Sequence, residues 1–317
     1  MNKNDGLLVV ALGGNAITRK HDTGAIQEQF VNTRKSLAPI ADIIAEGRKV
    51  VLTHGNGPQV GNYLIRVERA RDEVPDLPLP IIVADLQGGM GYMIGQVLQG
   101  LLAERETYRP VTTVLTQVLI DTDDPSLTDP TKYVGPFYEK EEAHELAEAR
   151  GWKIKEDSNR GWRRIVASPR PLEIVEADII RGLIEKGVVV VAAGGGGIPV
   201  RRLKGGNLQG VDGVIDKDRA SAVLAQDIGA EELLILTSVQ QVSLEFGTED
   251  QRDLDHLTIE EARRYLAEGH FPAGNMGPKI ESAVRFLEGC GRRVYIGAVD
   301  EAGGILTGRT GTVIVQS

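Results

Sequence analysis

Cysteine occurs once, as Cys290. A lone thiol builds no internal disulfide framework and no cysteine-rich metal site, and it fits a reducing, intracellular compartment. Histidine is scarce as well. His21, His54, His144, His256 and His270 show no i, i+4 pair and no metal-ligand spacing, so no metal site made by the protein's own ligands is expected. No G-x-S-x-G turn is present, which leaves nucleophilic serine chemistry without support. Positive charge is in deficit: 36 Lys and Arg face 45 Asp and Glu, for a net charge of −9. A chain of this balance lacks the electrostatic footprint of a nucleic-acid binder, and an anionic membrane surface would repel it. The N-terminal apolar run is too short for a signal peptide. No uncharged run is expected to reach the length of a membrane span. A cytoplasmic location is the expectation. Two nucleotide fingerprints are also missing. There is no G-x-x-x-x-G-K-[ST], and Gly13-Gly14-Asn15 lacks the third glycine of G-x-G-x-x-G.

Apolar residues make up 41% of the 317, enough for a sizeable core although aromatics are only 4%. That length gives a prior of two domains. Glycine, with 38 copies, often follows short apolar runs. Residues 7–12 lead into Gly13-Gly14-Asn15. Residues 50–53 lead into His54-Gly55-Asn56-Gly57, and residues 188–191 lead into Gly194 to Gly197. Such runs read as strands buried on both faces. Residues 111–120, 233–236, 294–296 and 312–315 read as further strands. Helical spacing of apolar residues predicts helices over 27–46, 58–71, 91–104, 172–186, 217–226 and 279–287. Thr258-Ile259-Glu260-Glu261 is a capping box opening another helix. This alternation predicts an α/β fold, a mostly parallel sheet with helices on both faces. Residues 122–171 break the rhythm with Pro, Gly, charge and both tryptophans, and read as an inserted lid holding one short helix near 139–150. The low charge of 91–102 predicts a buried helix face that could serve a subunit contact.

Ligands of open α/β sheets bind beyond the C-terminal ends of the strands. Glycine lets backbone N–H groups approach an anion, and a helix N-terminus adds partial positive charge. The three glycine turns therefore offer anion cradles on one edge of one sheet. A polyphosphate also needs cations. Lys132 lies in the expected lid, within Asp129-Pro130-Thr131-Lys132-Tyr133. Lys217 stands between Asp216 and Asp218 at a strand-to-helix junction. Lys279 follows Gly274-Asn275-Met276-Gly277-Pro278. A lysine in the first turn of a helix opposes the macrodipole, which implies another task for Lys217 and Lys279. His54 is open to two readings, substrate contact or structural support.

These residues run together in a known order. Leu12-Gly13-Gly14-Asn15-Ala16, His54-Gly55-Asn56-Gly57-Pro58-Gln59-Val60-Gly61, Pro130-Thr131-Lys132 with Gly135-Pro136-Phe137-Tyr138, and Arg160-Gly161-Trp162-Arg163-Arg164 form the first half. Gly194-Gly195-Gly196-Gly197-Ile198-Pro199-Val200, Val214-Ile215-Asp216-Lys217-Asp218 and residues 269–279 complete it. Over nearly its whole length the chain resembles the carbamate kinases of the amino acid kinase superfamily. The resemblance implies a three-layer α/β/α sandwich with a protruding lid subdomain over 122–171. It implies a carbamate-binding lobe over 1–205, a nucleotide-binding lobe over 206–317, and a homodimer. The implied reaction is ATP plus carbamate giving ADP plus carbamoyl phosphate, reversibly and with Mg²⁺, often run toward ATP at the end of arginine breakdown.

By the same resemblance, Gly13, Gly14 and Asn15 face the transferred phosphoryl group, and Gly55, Asn56 and Gly57 form the carbamate loop. Lys132 reaches the transferred group from the lid. Lys217 and Lys279 bind phosphate, and Asp218 organises them. Asp216, Thr237, Val242, Met276, Gly277 and Pro278 belong to the nucleotide side. Related kinases carry a lysine two residues before the first Gly-Gly, where this chain has Ala11. The chain departs from the family's usual pattern at Gly89 and at Asp212-Gly213. Rival readings are a kinase of the same fold for another small acid, of acetylglutamate or UMP type, and a silent nucleotide-binding regulator.

Overall fold

The computed structural model describes residues 6–19, 22–157, 160–271 and 276–317, without the side chain of Asn15. His21, Gly274 and Asn275, singled out above, lie outside the described residues. Among the described residues the centre is an eight-stranded sheet. Its spatial order is His256–Thr258, Thr312–Val315, Arg293–Ala298, Glu232–Thr237, Leu7–Leu12, Lys49–His54, Val189–Val191 and Val111–Thr113. Six strands are mutually parallel. Thr312–Val315 runs against Arg293–Ala298, and His256–Thr258 follows it in parallel. Strands from the first 205 residues fill one half of the sheet and later strands the other. The halves join where Leu7–Leu12 pairs with Glu232–Thr237.

The inner strands are apolar on both faces because both faces are covered. Val9, Ala11, Val51, Val190 and Ile235 pack under the helices Ala177–Glu185, Lys217–Asp227, Ile259–Ala267 and Met276–Glu288. Their neighbours Leu8, Val10, Leu12, Leu52, Val191 and Leu236 point the other way. They meet Ile26–Ala45, Leu79–Ala103 and Ala302–Leu306. Period-two alternation along each strand thus feeds two cores, and the result is a three-layer α/β/α sandwich. Thr258 and Glu261 form the expected reciprocal cap at the start of Ile259–Ala267.

Three sequence expectations are corrected. Residues 111–120 are two strands, not one. Val111–Thr113 stays in the main sheet, while Gln117–Ile120 joins a separate four-stranded sheet. The break comes at Thr116, whose backbone N–H and C=O are both taken by the side-chain amide of Gln87. Residues 172–186 divide into a strand, Pro171–Ile174, and a helix, Ala177–Glu185. The third correction concerns the membrane. Leu79–Ala103 is a 25-residue helix long and apolar enough to cross one by length and composition. It is a core helix: Ile94, Leu98 and Leu102 are buried against the main sheet, and Ile82 is buried under the lid.

The lid is a three-stranded antiparallel sheet, Lys132–Tyr138, Trp162–Val166 and Lys153–Glu156, with the helix Lys140–Arg150 beside it. Its two ends are pinned by Asp124, whose carboxylate accepts from the Arg170 N–H at 2.9 Å. Its foot is apolar. Val134 and Val166 pack with Val60, Leu64, Ile82 and Val214.

Candidate active site

Three neighbouring strands of the sheet end in the three glycine turns, so their tips converge. The Gly55 N–H donates to the Leu12 carbonyl at 3.0 Å. A Cβ on Gly55 would lie 3.2 Å from Lys217 Cδ and 3.3 Å from the Gly14 nitrogen. Gly13 is equally confined, since its Cβ would come within 2.9 Å of the Leu236 carbonyl oxygen. Gly195 has φ +67°, and a Cβ there would fall 2.0 Å from Asn56 Nδ2. Asn56 is 3% exposed, and its Nδ2 has no partner among the described residues. Gly57 opens the helix Gly57–Ala70.

The cations gather at the N-terminus of the Lys217–Asp227 helix. Asp216 caps it, accepting from the N–H groups of Asp218 and Arg219. Lys217 is the first helical residue, against the dipole, and Asp218 offsets the mismatch. Lys217 Nζ lies 2.5 Å from Asp218 Oδ1, and Lys279 Nζ lies 3.1 Å from Asp218 Oδ2. Lys132 reaches over from the lid to Asp216 Oδ2 at 3.5 Å. Asp218 is 3% exposed and Lys279 8%. Burial pushes the Asp218 carboxyl up, but the two ammonium groups and their hydrogen bonds outweigh it and hold it below the usual carboxylate range. Three ammonium groups against two carboxylates leave positive charge for an anion. A cavity of about 1020 Å³ opens beside this cluster, between lid and helix, lined by Lys132, Asp216, Arg219 and Pro278.

The helix expected from 279 starts three residues earlier, at Met276, so Met276, Gly277 and Pro278 are its first residues and Lys279 follows them. Thr237 ends the strand Glu232–Thr237 and is nearly buried. Val242 is fully buried in the core, and its N–H donates to Thr312 Oγ1 at 2.9 Å. One buried link escapes sequence reading altogether. Thr53 and Ser221 share a hydroxyl hydrogen bond of 2.6 Å, and Ser221 also donates to the Lys217 carbonyl. It ties the strand tip before Gly55 to the lysine helix. The partners are 168 positions apart and carry no local signal.

His54 bonds within its own turn through one ring nitrogen, and its buried Nε2 has no partner among the described residues. Its Nδ1 lies 3.1 Å from the Gly55 carbonyl, an acceptor only, so the proton sits on Nδ1. Burial lowers its pKa to about 4, against a smaller opposing effect of that hydrogen bond, and the Lys217 ammonium adds to the lowering. The unfolded chain then binds the proton more readily between about pH 4 and about 6.5, so stability rises with pH across that window. From pH 7 to pH 5 the wild type should lose about 2 kcal/mol more than His54→Gln. Urea unfolding at both pH values checks this, and parallel losses would contradict a buried neutral imidazole.

The fold and this edge of glycine turns and lysines define a class. The model of the amino acid kinase family matches residues 6–298. A carbamate kinase of Pyrococcus furiosus is 46% identical over 97% of this chain and 98% of its own. The carbamate kinase-like protein YahI of Escherichia coli is 45% identical over 98% and 99%. The structure of carbamate kinase from Giardia lamblia bound to AMP-PNP superposes with a TM-score of 0.93 at 38% identity, covering 99% of both chains. The chain belongs to the amino acid kinase family and, within it, to the carbamate kinases.

Proposed function

We propose that the chain transfers a phosphoryl group reversibly between ATP and carbamate, giving ADP and carbamoyl phosphate. The observation that carries this reading is the buried Asp218 holding Lys217 and Lys279 at a helix N-terminus beside two glycine turns. Phosphoryl transfer asks for positioning and charge stabilisation rather than covalent chemistry. Lys217 and Lys279 take the phosphates and stabilise the charge that spreads over the transferred group. Gly13, Gly14 and Asn15 line that group with backbone. Gly55, Asn56 and Gly57 hold carbamate, and the unpartnered Asn56 amide is a donor suited to its carboxylate. Carbamate already carries an anionic oxygen, so no general base is required. Lys132 reaches the transferred group when the lid closes.

The adenine lies by Thr237 and Met276, with Gly277 and Pro278 beneath the phosphates; Val242, expected beside it, is fully buried and backs the site from the core. On this reading residues 1–205 form the carbamate lobe, with the lid at 122–171, and 206–317 the nucleotide lobe. Mg²⁺ enters as the magnesium complex of the nucleotide, held mainly by phosphate oxygens. Asp216 Oδ2, which faces only the lid lysine among the contacts described, is the carboxylate placed to approach it. Two copies pair through the apolar face around Ile26 and Tyr92, which are 58% and 65% exposed beside Met90 and Met93. The unpaired, exposed Cys290 fits a cytoplasmic setting.

ATP formation from MgADP tests the reading, with carbamoyl phosphate and acetyl phosphate assayed side by side. The expected outcome is turnover of about 1–100 per second with carbamoyl phosphate and far less with acetyl phosphate. Preference for acetyl phosphate would transfer the reading to another small carboxylate, and inactivity with both to a nucleotide-binding regulator. Light scattering on the same sample should give twice the chain mass.

A further inference from the structure

The lid motif Arg160-Gly161-Trp162-Arg163-Arg164 has no part in the chemistry described so far. Its middle arginine is unusually well held. Arg163 donates from Nε and Nη2 to the single carbonyl of Gly135, at 3.2 and 3.0 Å, and from Nη1 to Asp157 Oδ2 at 3.0 Å. Its guanidinium lies over Phe137 at 4.8 Å and over Tyr133 at 5.7 Å. Asp157 is buried, and Arg160 holds its other oxygen at 2.9 Å. So the fork is fixed from behind before it grips Gly135.

Gly135 is where the strand that begins at Lys132 leaves regular pairing. Lys132, Tyr133 and Val134 pair in register with Val166, Ile165 and Arg164, and pairing resumes only at Tyr138. Gly135 has φ +75°, a turn of the backbone that other residues resist. Three paired residues are a short lever for placing a long, partly exposed lysine. Two anchors fix it. The Val134 side chain sits in the apolar foot of the lid, and the Gly135 carbonyl sits in the Arg163 fork. Arg164, next to Arg163 on the partner strand Trp162–Val166 and paired with Val134, ties that strand to Asp212 at 2.9 Å, shortly before Asp216 and Lys217.

We propose that Arg163 is the positioning residue of the lid lysine: by fixing the Gly135 bulge it sets where Lys132 emerges toward the transferred group. This rests on the reading of Lys132 given above. Lysine at 163 keeps the charge but has no planar fork and does not stack, so it cannot hold Gly135 and Asp157 together. A displacement of about 1 Å in a reacting group can cost about 10²-fold in rate.

The test is steady-state kinetics in the ATP-forming direction for Arg163→Lys, Lys132→Ala and the double variant, with melting curves for each. Arg163→Lys should lower kcat by about 10- to 100-fold and leave the KM for MgADP within about twofold, since the nucleotide lobe is untouched. In the Lys132→Ala background it should add nothing, because there is no lysine left to place. Arg163→Gln, which removes the charge and shortens the side chain so that neither Gly135 nor Asp157 is reached by a fork, should show the same non-additivity. An unchanged kcat in Arg163→Lys overturns the proposal. So does a full independent loss in the double variant, which would make Arg163 a general support of the lid. Wild-type kcat in Lys132→Ala would instead overturn the role of the lysine itself, and Arg163 would have nothing to act through.

Discussion

Lys217→Ala should lower kcat by about 10²–10³-fold, the loss seen when one preorganised donor to a developing charge is removed. Two features single this lysine out. Its stem lies against Gly55, the glycine of the acceptor turn that also abuts Gly14 of the phosphate turn, so its ammonium emerges beside both turns. It also occupies the first position of a helix, where the N–H groups and the dipole already favour an anion. Lys279→Ala should fall in the same range. The double variant should lose less than the product of the two, since both ammonium groups share Asp218 and one phosphate chain. Lys217→Ala should raise the KM for MgADP as well, because ground-state phosphate binding is lost with it. The measurement is kcat and KM for each variant by coupled ATP formation, with melting curves to show that the fold survives. Near-wild-type kcat in Lys217→Ala would remove the lysine cluster from the chemistry.

That cluster was visible in the sequence for a physical reason. A lysine at a helix start conflicts with the macrodipole, and Lys217 is indeed the first helical residue. The conflict is resolved by a residue next to it, Asp218, so that half of the device is local, while Lys279 joins it from 61 positions away. The glycine turns were legible on similar grounds. A continuous apolar run as short as residues 7–12, closed by glycine, reads as a strand covered on both faces, and the glycine after it marks close approach. The structure adds what no local pattern contains. Gly195 is required by Asn56, and Gly13 by Leu236, each from a different strand.

Where partners are distant or the pattern is mixed, the sequence is silent. Residues 111–120 look like one strand because Val, Thr, Leu and Ile fill every position except Gln117. The break at Thr116 is imposed by Gln87 from a helix. Asp124 carries no local signal of its role, yet it is buried and closes the base of the lid through Arg170. The lid strand Lys153–Glu156 has no apolar alternation, since it is mostly exposed on the rim of a small sheet. Its neighbour Trp162–Val166 is held by arginines stacked on aromatic rings and, at its end, by Val166 in the apolar foot of the lid. Composition alone marks the lid as different without giving its form.

Asp218→Asn should lower kcat by about 10²-fold or more and leave the shape of its pH dependence unchanged between pH 6 and 9. The carboxylate is buried between two ammonium groups, each within hydrogen-bond reach of a different oxygen. Asparagine keeps the size but not the charge. Two buried ammonium groups would then repel each other with only one acceptor oxygen between them, and their positions over the phosphates would relax. Because the two ammonium groups hold the Asp218 carboxyl below the usual carboxylate range, it stays ionised throughout this pH window. An orienting charge of that kind contributes no limb to the profile, whereas a general base imposes one at its own pKa. The same lowering fixes the sign of the stability effect. A depressed carboxyl pKa stabilises the fold above the unfolded value of about 3.9, and the contribution is lost as pH falls through the lower folded value. The wild type and Asp218→Asn should therefore differ most in stability at neutral pH and converge in acid. The decisive experiment is a kcat–pH series for both proteins at saturating MgADP and carbamoyl phosphate. Parallel profiles with a constant offset are expected. A wild-type ionisation near neutrality that Asp218→Asn abolishes would make Asp218 a proton carrier, and transfer to an already anionic oxygen without a base would be wrong.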